Sequence, residues 1–215
     1  METLPNDMLK EILTNLSDQD LFQACRLNKT FVELCRDENF WEMRGKLKYP
    51  KEINELKDTN PTWTWKKSYQ WSPILYLKHT FPEVLKNKSL SKIYHLRELY
   101  LGDNQLTSIP KELGRLSALQ TLYLYNNQLT SIPKELGNLE QLRVLDLYGN
   151  QLTSIPKELG RLSALRRLYL SNNRLTFLPK ELGSLSALKY LDLRENPLKS
   201  IPDNIINIPR IEIYR

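Results

Sequence analysis

Cysteine and histidine are nearly absent from this chain, which has two of each in 215 residues. His79 and His95 have no cysteine or carboxylate pattern of metal-ligand or triad type around them, so no metal site or catalytic triad is indicated. Cys25 and Cys35 fall at apolar positions of helical patterns, where a thiol is usually inert core. Glycine is scarce too, with seven in all and no phosphate-cradling loop. The chain is therefore read as a non-enzyme that needs no cofactor. No apolar run approaches the roughly 20 residues of a membrane span. The opening Met1–Asn6 leads straight into an amphipathic pattern broken by Lys10 and Glu11, so no signal peptide is expected.

What is present is basic and moderately apolar. The formal net charge is +6, and 40% of residues are hydrophobic, enough for one elongated or two compact units. The charge is uneven: residues 1–45 carry five basic and nine acidic side chains, residues 46–95 ten and four, residues 96–215 sixteen and twelve. The central lysines are diffuse and lie in no nucleic-acid motif, so they are read as a solvated surface and not as a nucleic-acid site.

The stretch 96–202 is one unit written five times. Asn104, Asn127, Asn150, Asn173 and Asn196 mark a period of about 23 residues. Leucines precede each asparagine by eight, five and three positions, as do Leu96, Leu99 and Leu101 before Asn104, and an apolar residue follows two later. The alternation predicts a short strand with its leucines on one side. The asparagine amide is suited to bond backbone groups at the bend that follows. Each unit then runs through a segment such as TSIPKELGRLSAL (107–119), punctuated by Pro110, Pro133, Pro156, Pro179 and Pro202. A unit this thin cannot cover its own apolar face, so the units must stack into a continuous core with a parallel sheet on the inner side. Five strands at ~4.8 Å make an inner surface on the order of 24 Å long.

This pattern resembles the leucine-rich repeat family. The resemblance implies an α/β solenoid, a horseshoe arc whose concave face is the parallel sheet, and a role in binding other macromolecules. An extracellular chain of this kind is expected to carry disulfide-bonded caps, so the cysteine usage points to cytoplasm or nucleus and away from secretion.

Before the repeats, Thr3–Leu16 places Met8, Leu9, Ile12, Leu13 and Leu16 on one helical face, Ser17 is a candidate cap for a second helix with Leu21, and Asn28 for a third. Three short helices have little interior and need a partner or a neighbouring domain. Leu4, Pro5, Asp7, Leu9, Ile12, Leu13, Leu16, Asp20, Leu21, Cys25, Phe31, Leu34, Cys35 and Trp41 resemble the F-box in order and spacing. The resemblance implies docking on the adaptor subunit of a cullin-RING (SCF-type) ubiquitin ligase, through Leu4, Pro5, Leu9, Ile12, Leu13, Leu16 and Leu21. An F-box followed by leucine-rich repeats looks like a substrate receptor of that machine, in which partners perform the ubiquitin chemistry. The alternative is a standalone repeat scaffold, with the helical part serving only as an N-terminal cap.

The expected organisation is therefore a helical domain over 1–45, an aromatic-rich packed connector over 46–80, a degenerate first repeat over 81–95, five repeats over 96–202 and a C-terminal cap over 203–215. The connector's Trp63, Trp65, Tyr69 and Trp71 are read as core and not as a base-stacking platform.

The outer arcs are near copies of one another, and residues 107–118 and 153–164 are identical. Residues 130–141 differ from them only at the end, and the inner face is where the repeats differ. Its positions read Glu98, Tyr100, Gly102, Asp103; Thr121, Tyr123, Tyr125, Asn126; Val144, Asp146, Tyr148, Gly149; Arg167, Tyr169, Ser171, Asn172; and Tyr190, Asp192, Arg194, Glu195. Tyrosine and arginine dominate protein interfaces, so Glu98, Tyr100, Tyr123, Tyr125, Asp146, Tyr148, Arg167, Tyr169, Tyr190, Asp192 and Arg194 are the expected contact with a target protein. The competing reading is that tyrosine is simply a good strand former on a solvated sheet.

Overall fold

The computed structural model describes residues 40–42, 44, 46, 49–59 and 65–215, with the side chains of 65–72 left aside. The adaptor-contact residues Leu4, Pro5, Leu9, Ile12, Leu13, Leu16 and Leu21, and the helices expected around them, lie outside the described residues. The chain divides into two compact units, Met1–Tyr76 and Leu77–Arg215.

In the first unit Phe40 and Trp41 are buried, their rings edge to face at 5.1 Å. Helix α1, Pro50–Thr59, opens on proline, has Glu52 in its first turn and Lys57 in its last, and buries Ile53 and Leu56 one turn apart. These charges suit the helix dipole at each end. Helix α2 spans Trp65–Thr80. Its Tyr76 ring lies 6.3 Å from that of Tyr49.

The second unit begins its repeat structure with two short helices, α3 (Pro82–Leu85) and α4 (Leu90–Tyr94), which bury Leu85 and Ile93. Ser89 caps α4 by accepting from the Lys92 amide. Six strands follow: β1 Glu98–Tyr100, β2 Thr121–Tyr123, β3 Val144–Asp146, β4 Arg167–Tyr169, β5 Tyr190–Asp192 and β6 Glu212–Tyr214. They form one parallel sheet in chain order. The middle residue of each of the first five strands, Leu99, Leu122, Leu145, Leu168 or Leu191, is fully buried. After each of the first four strands a proline in extended conformation leads the outer arc into a 3-10 helix, as Pro133 leads into Lys134–Asn138, which returns Leu136 and, just beyond its end, Leu139 to the core; after β5, Pro202 leads into a short α-helix, Asp203–Ile206. Glycine is required in that helix. A Cβ on Gly137 would stand 2.4 Å from the Glu158 carbonyl oxygen of the next arc, closer than any side chain permits.

The asparagines hold the bends. Asn150 Nδ2 donates to the Leu124 and Leu147 carbonyls at 2.9 and 3.1 Å, while its Oδ1 accepts from the Leu129 amide at 3.1 Å. Asn127 and Asn173 repeat the arrangement, and all three are buried. Each amide thus ties its own bend to the strand end and bend of the unit before. Asn104 departs from the expectation. It is exposed, and its Nδ2 donates to Gly102 O at 2.6 Å within its own bend; in the chain it is preceded by α3 and α4 and not by another strand and bend.

The C-terminal segment also departs from the expectation, adding a sixth strand to the five. Ile213 pairs with Leu191, which it follows by 22 positions, so this unit is one residue short. Two residues before the strand Arg210 adopts φ +60°, and the shortening falls between Ile211, which bonds Ile208 O as Leu188 bonds Leu185 O, and Glu212. Six strands lengthen the inner surface to on the order of 29 Å.

Replacing Asn150 with alanine leaves two carbonyls and one amide without these partners in a dry interior, and is expected to cost about 2–4 kcal/mol. The same change at Asn104 is expected to cost less than about 1 kcal/mol. Urea unfolding of the full chain distinguishes the two; equal losses would contradict the ladder.

Candidate functional site

Strand register turns the inner face into columns. The first strand residues align as Glu98, Thr121, Val144, Arg167, Tyr190 and Glu212, and the third as Tyr100, Tyr123, Asp146, Tyr169, Asp192 and Tyr214. All of them flank a buried leucine or, in β6, Ile213, so the pleat sends them to the opposite side of the sheet.

The tyrosines fall into two clusters separated by β3. Tyr100 stacks on Tyr123 with centroids 4.9 Å apart, and Tyr125 meets Tyr123 edge-on at 6.2 Å. On the other side Tyr190 lies 5.1 Å from Tyr169 and 4.9 Å from Tyr214. Gly102 makes room for the first cluster, since a Cβ there would sit 2.5 Å from the Tyr125 ring. The rings cover part of one another, yet Tyr100 stays 56% exposed and Tyr148 and Tyr214 are also exposed. Both ends of the sheet carry the same pairing: Tyr100 OH donates to Glu98 at 2.7 Å and Tyr214 OH to Glu212 at 3.3 Å. The hydrogen bond to Glu98 raises the Tyr100 hydroxyl above the ordinary tyrosine value. The Glu212 charge raises that of Tyr214 in the same way.

Two aspartates on this face behave in opposite ways. Asp192, expected among the exposed residues, is only 3% exposed. Its Oδ1 accepts from Arg194 N at 3.2 Å and Nε at 2.9 Å, and its Oδ2 from Nη2 at 2.7 Å. These bonds hold the carboxyl below the usual carboxylate range. Arg194 is thereby committed within the chain, and its guanidinium also lies 5.7 Å from the centre of the Tyr214 ring. Asp146 is half-buried, and burial holds its carboxyl above the usual range, opposed by the Tyr148 amide that donates to it at 3.0 Å and reinforced by the Asp192 charge.

The remaining expected residues divide by burial. Glu98 and Arg167 are exposed, while Tyr123, Tyr125, Tyr169 and Tyr190 are half-buried. Asp103, Asn126, Gly149, Asn172 and Glu195 vary for a different reason from the rest of the face. All have positive φ, between 51° and 64°, just before the ladder asparagine, a conformation that favours the glycine, asparagines and aspartate among them but not Glu195. Glu212 and Tyr214 complete the face although they were not expected there. The signal was available, because Glu212-Ile213-Tyr214 echoes Glu98-Leu99-Tyr100. His79 and His95 are both exposed. Among the described residues no group of three or more histidine, cysteine, aspartate or glutamate side chains could hold a metal ion, and no helix is long and apolar enough to cross a membrane.

A leucine rich repeat model matches four overlapping stretches, residues 74–129, 95–152, 117–175 and 163–213. The chain belongs to the leucine-rich repeat family. An F-box domain model matches residues 1–43, so this leucine-rich repeat chain carries an F-box before its repeats. That is the architecture of proteins that work by binding other proteins. No curated protein matches the chain. Solved structures do. It is similar to a TDR receptor, with 33% identity, 55% of this chain and 21% of that one covered, and a TM-score of 0.52. It is similar to an internalin of Listeria monocytogenes at 26%, 58%, 36% and 0.50 in the same order. For a leucine-rich-repeat protein of Leptospira interrogans the figures are 35%, 59%, 39% and 0.48. The chain thus spans 21% to 39% of the length of these three.

The two aspartates give a prediction with opposite signs. A carboxyl lowered in the fold contributes stability above its unfolded value and loses it as pH falls through the folded one. A raised carboxyl carries a penalty that appears as pH rises through the unfolded and folded values. Asp192→Asn should therefore destabilise the chain at pH 7 and Asp146→Asn stabilise it, with both differences shrinking towards about pH 3. Denaturant midpoints at the two pH values check this, and shifts of the same sign at pH 7 would contradict it.

Proposed function

We propose that this chain is a substrate receptor of an SCF-type cullin-RING ubiquitin ligase. The F-box binds the adaptor subunit, and the tyrosine-lined sheet binds the protein to be modified. The observation that carries the reading is the pairing of an F-box match at residues 1–43 with a repeat unit whose inner face varies most in surface chemistry. Leu4, Pro5, Leu9, Ile12, Leu13, Leu16 and Leu21 form the adaptor contact, since an apolar helical face wider than its small domain can cover is one that a partner buries. Residues 46–80 connect, 81–95 begin the solenoid, 96–202 supply the repeats and 203–215 close it. The chain itself performs no chemistry and acts in the cytoplasm or nucleus.

The adaptor and target surfaces are separable by mutation. In the full chain, Leu9→Glu with Ile12→Glu should abolish co-purification with the adaptor. Tyr100→Ala, Tyr123→Ala and Tyr169→Ala together should keep the adaptor and lose the captured target. An intact chain that fails to bind the adaptor would contradict the reading.

A further inference from the structure

The third position of the strand holds aspartate twice, with tyrosines in register on either side. Tyr123 and Tyr169 flank Asp146, and Tyr169 and Tyr214 flank Asp192. Adjacent strands put each neighbour about 4.8 Å away. Only one of these aspartates has a cation. Two residues beyond Asp192, on the same side of the sheet, Arg194 lays its fork on both carboxylate oxygens and its plane near the Tyr214 ring. Two residues beyond Asp146 stands Tyr148, which gives it a backbone amide and no charge. Among the described residues no ion pair involves Asp146. The sheet thus carries one arrangement in two states, filled at β5 and open at β3.

We propose that Asp146, with Tyr123 and Tyr169 beside it, receives the guanidinium of an arginine from the bound target, as Asp192 and Tyr214 hold Arg194. This rests on the reading of the sheet as the target face, and it adds the target's chemistry: an arginine-bearing segment. A guanidinium fits because its planar fork gives two parallel bonds to one carboxylate and its face lies against an aromatic ring. Lysine offers a point charge and no fork. On the outward strand positions Glu98, Asp146, Asp192 and Glu212 outnumber the one cation, Arg167, while exposed Arg97, Arg143, Arg166 and Lys189 stand just before the strands. A half-buried carboxylate without a counter-charge also gains most from a docked cation, and such a contact selects one partner over another.

The full chain, titrated with blocked Gly-Arg-Gly and followed by tyrosine NMR shifts, should show saturable binding with Kd on the order of 1 mM. The citrulline peptide, isosteric but neutral, should bind at least tenfold more weakly, and the lysine peptide severalfold more weakly. Asp146→Asn should lose binding at least tenfold while unfolding no earlier than the wild type, which separates recognition from folding. Tyr148→Arg should lose it equally by placing a cation on Asp146 from within, as Arg194 does on Asp192. No saturable binding to the wild type, equal binding of citrulline, or undiminished binding to Asp146→Asn would each overturn the proposal. Adaptor co-purification from the same preparations keeps the two readings apart. If the adaptor is retained and arginine ignored, only the arginine site fails. If the wild type does not bind the adaptor, the receptor reading fails.

Discussion

A primary amide buried at each bend is the interaction on which the rest depends. Parallel strands only three residues long have few ladder bonds of their own, and a leucine core is indifferent to small slips along its axis. Asn127, Asn150 and Asn173 are not indifferent. Each donates to a carbonyl in its own unit and one in the unit before, and accepts from an amide of the preceding bend. A unit displaced by one residue would leave these groups unpaired away from water, at a cost of about 1–3 kcal/mol for each. The ladder therefore sets the register, and register puts chosen side chains into straight columns.

Columns give the inner face its character. Tyrosines in register stack, which fixes their rings before any partner arrives and reduces the entropy lost on binding. Each aspartate in the column is caught between rings, and its fate is decided two residues further along. Arg194 neutralises one, while Tyr148 leaves the other charged and half-buried. A carboxylate kept in that condition weakens the folded state, as binding sites commonly do relative to an optimally stable sequence.

Much of this was legible because the repeat is self-annotating. Leucine spacing located β1–β5, and the asparagine chemistry followed from its place after each strand. The sixth strand was obscured by isoleucine replacing leucine and by the residue missing just before it, which broke the period. The burial of Asp192 was hidden because the inner positions were taken one at a time. Asp192 closes β5 and Arg194 follows two residues later, close enough for the guanidinium to fold back on the carboxylate. Asp103, Asn126, Gly149, Asn172 and Glu195 were counted among the varying positions of the inner face without the left-handed bend in which all five stand. Asn104 showed the limit of reading by copy: the same residue does a different task when helices and not another bend precede it in the chain.

Hydrogen exchange tests the ladder most directly, because the amides of Leu129, Leu152 and Leu175 each bond a side-chain oxygen of the following unit. These three should exchange as slowly as the strand amides, and in Asn150→Ala the Leu129 amide alone of the three should become fast. If the Leu129 amide in the wild-type chain exchanged at the rate of an exposed loop, the asparagines would not be holding the stack in register.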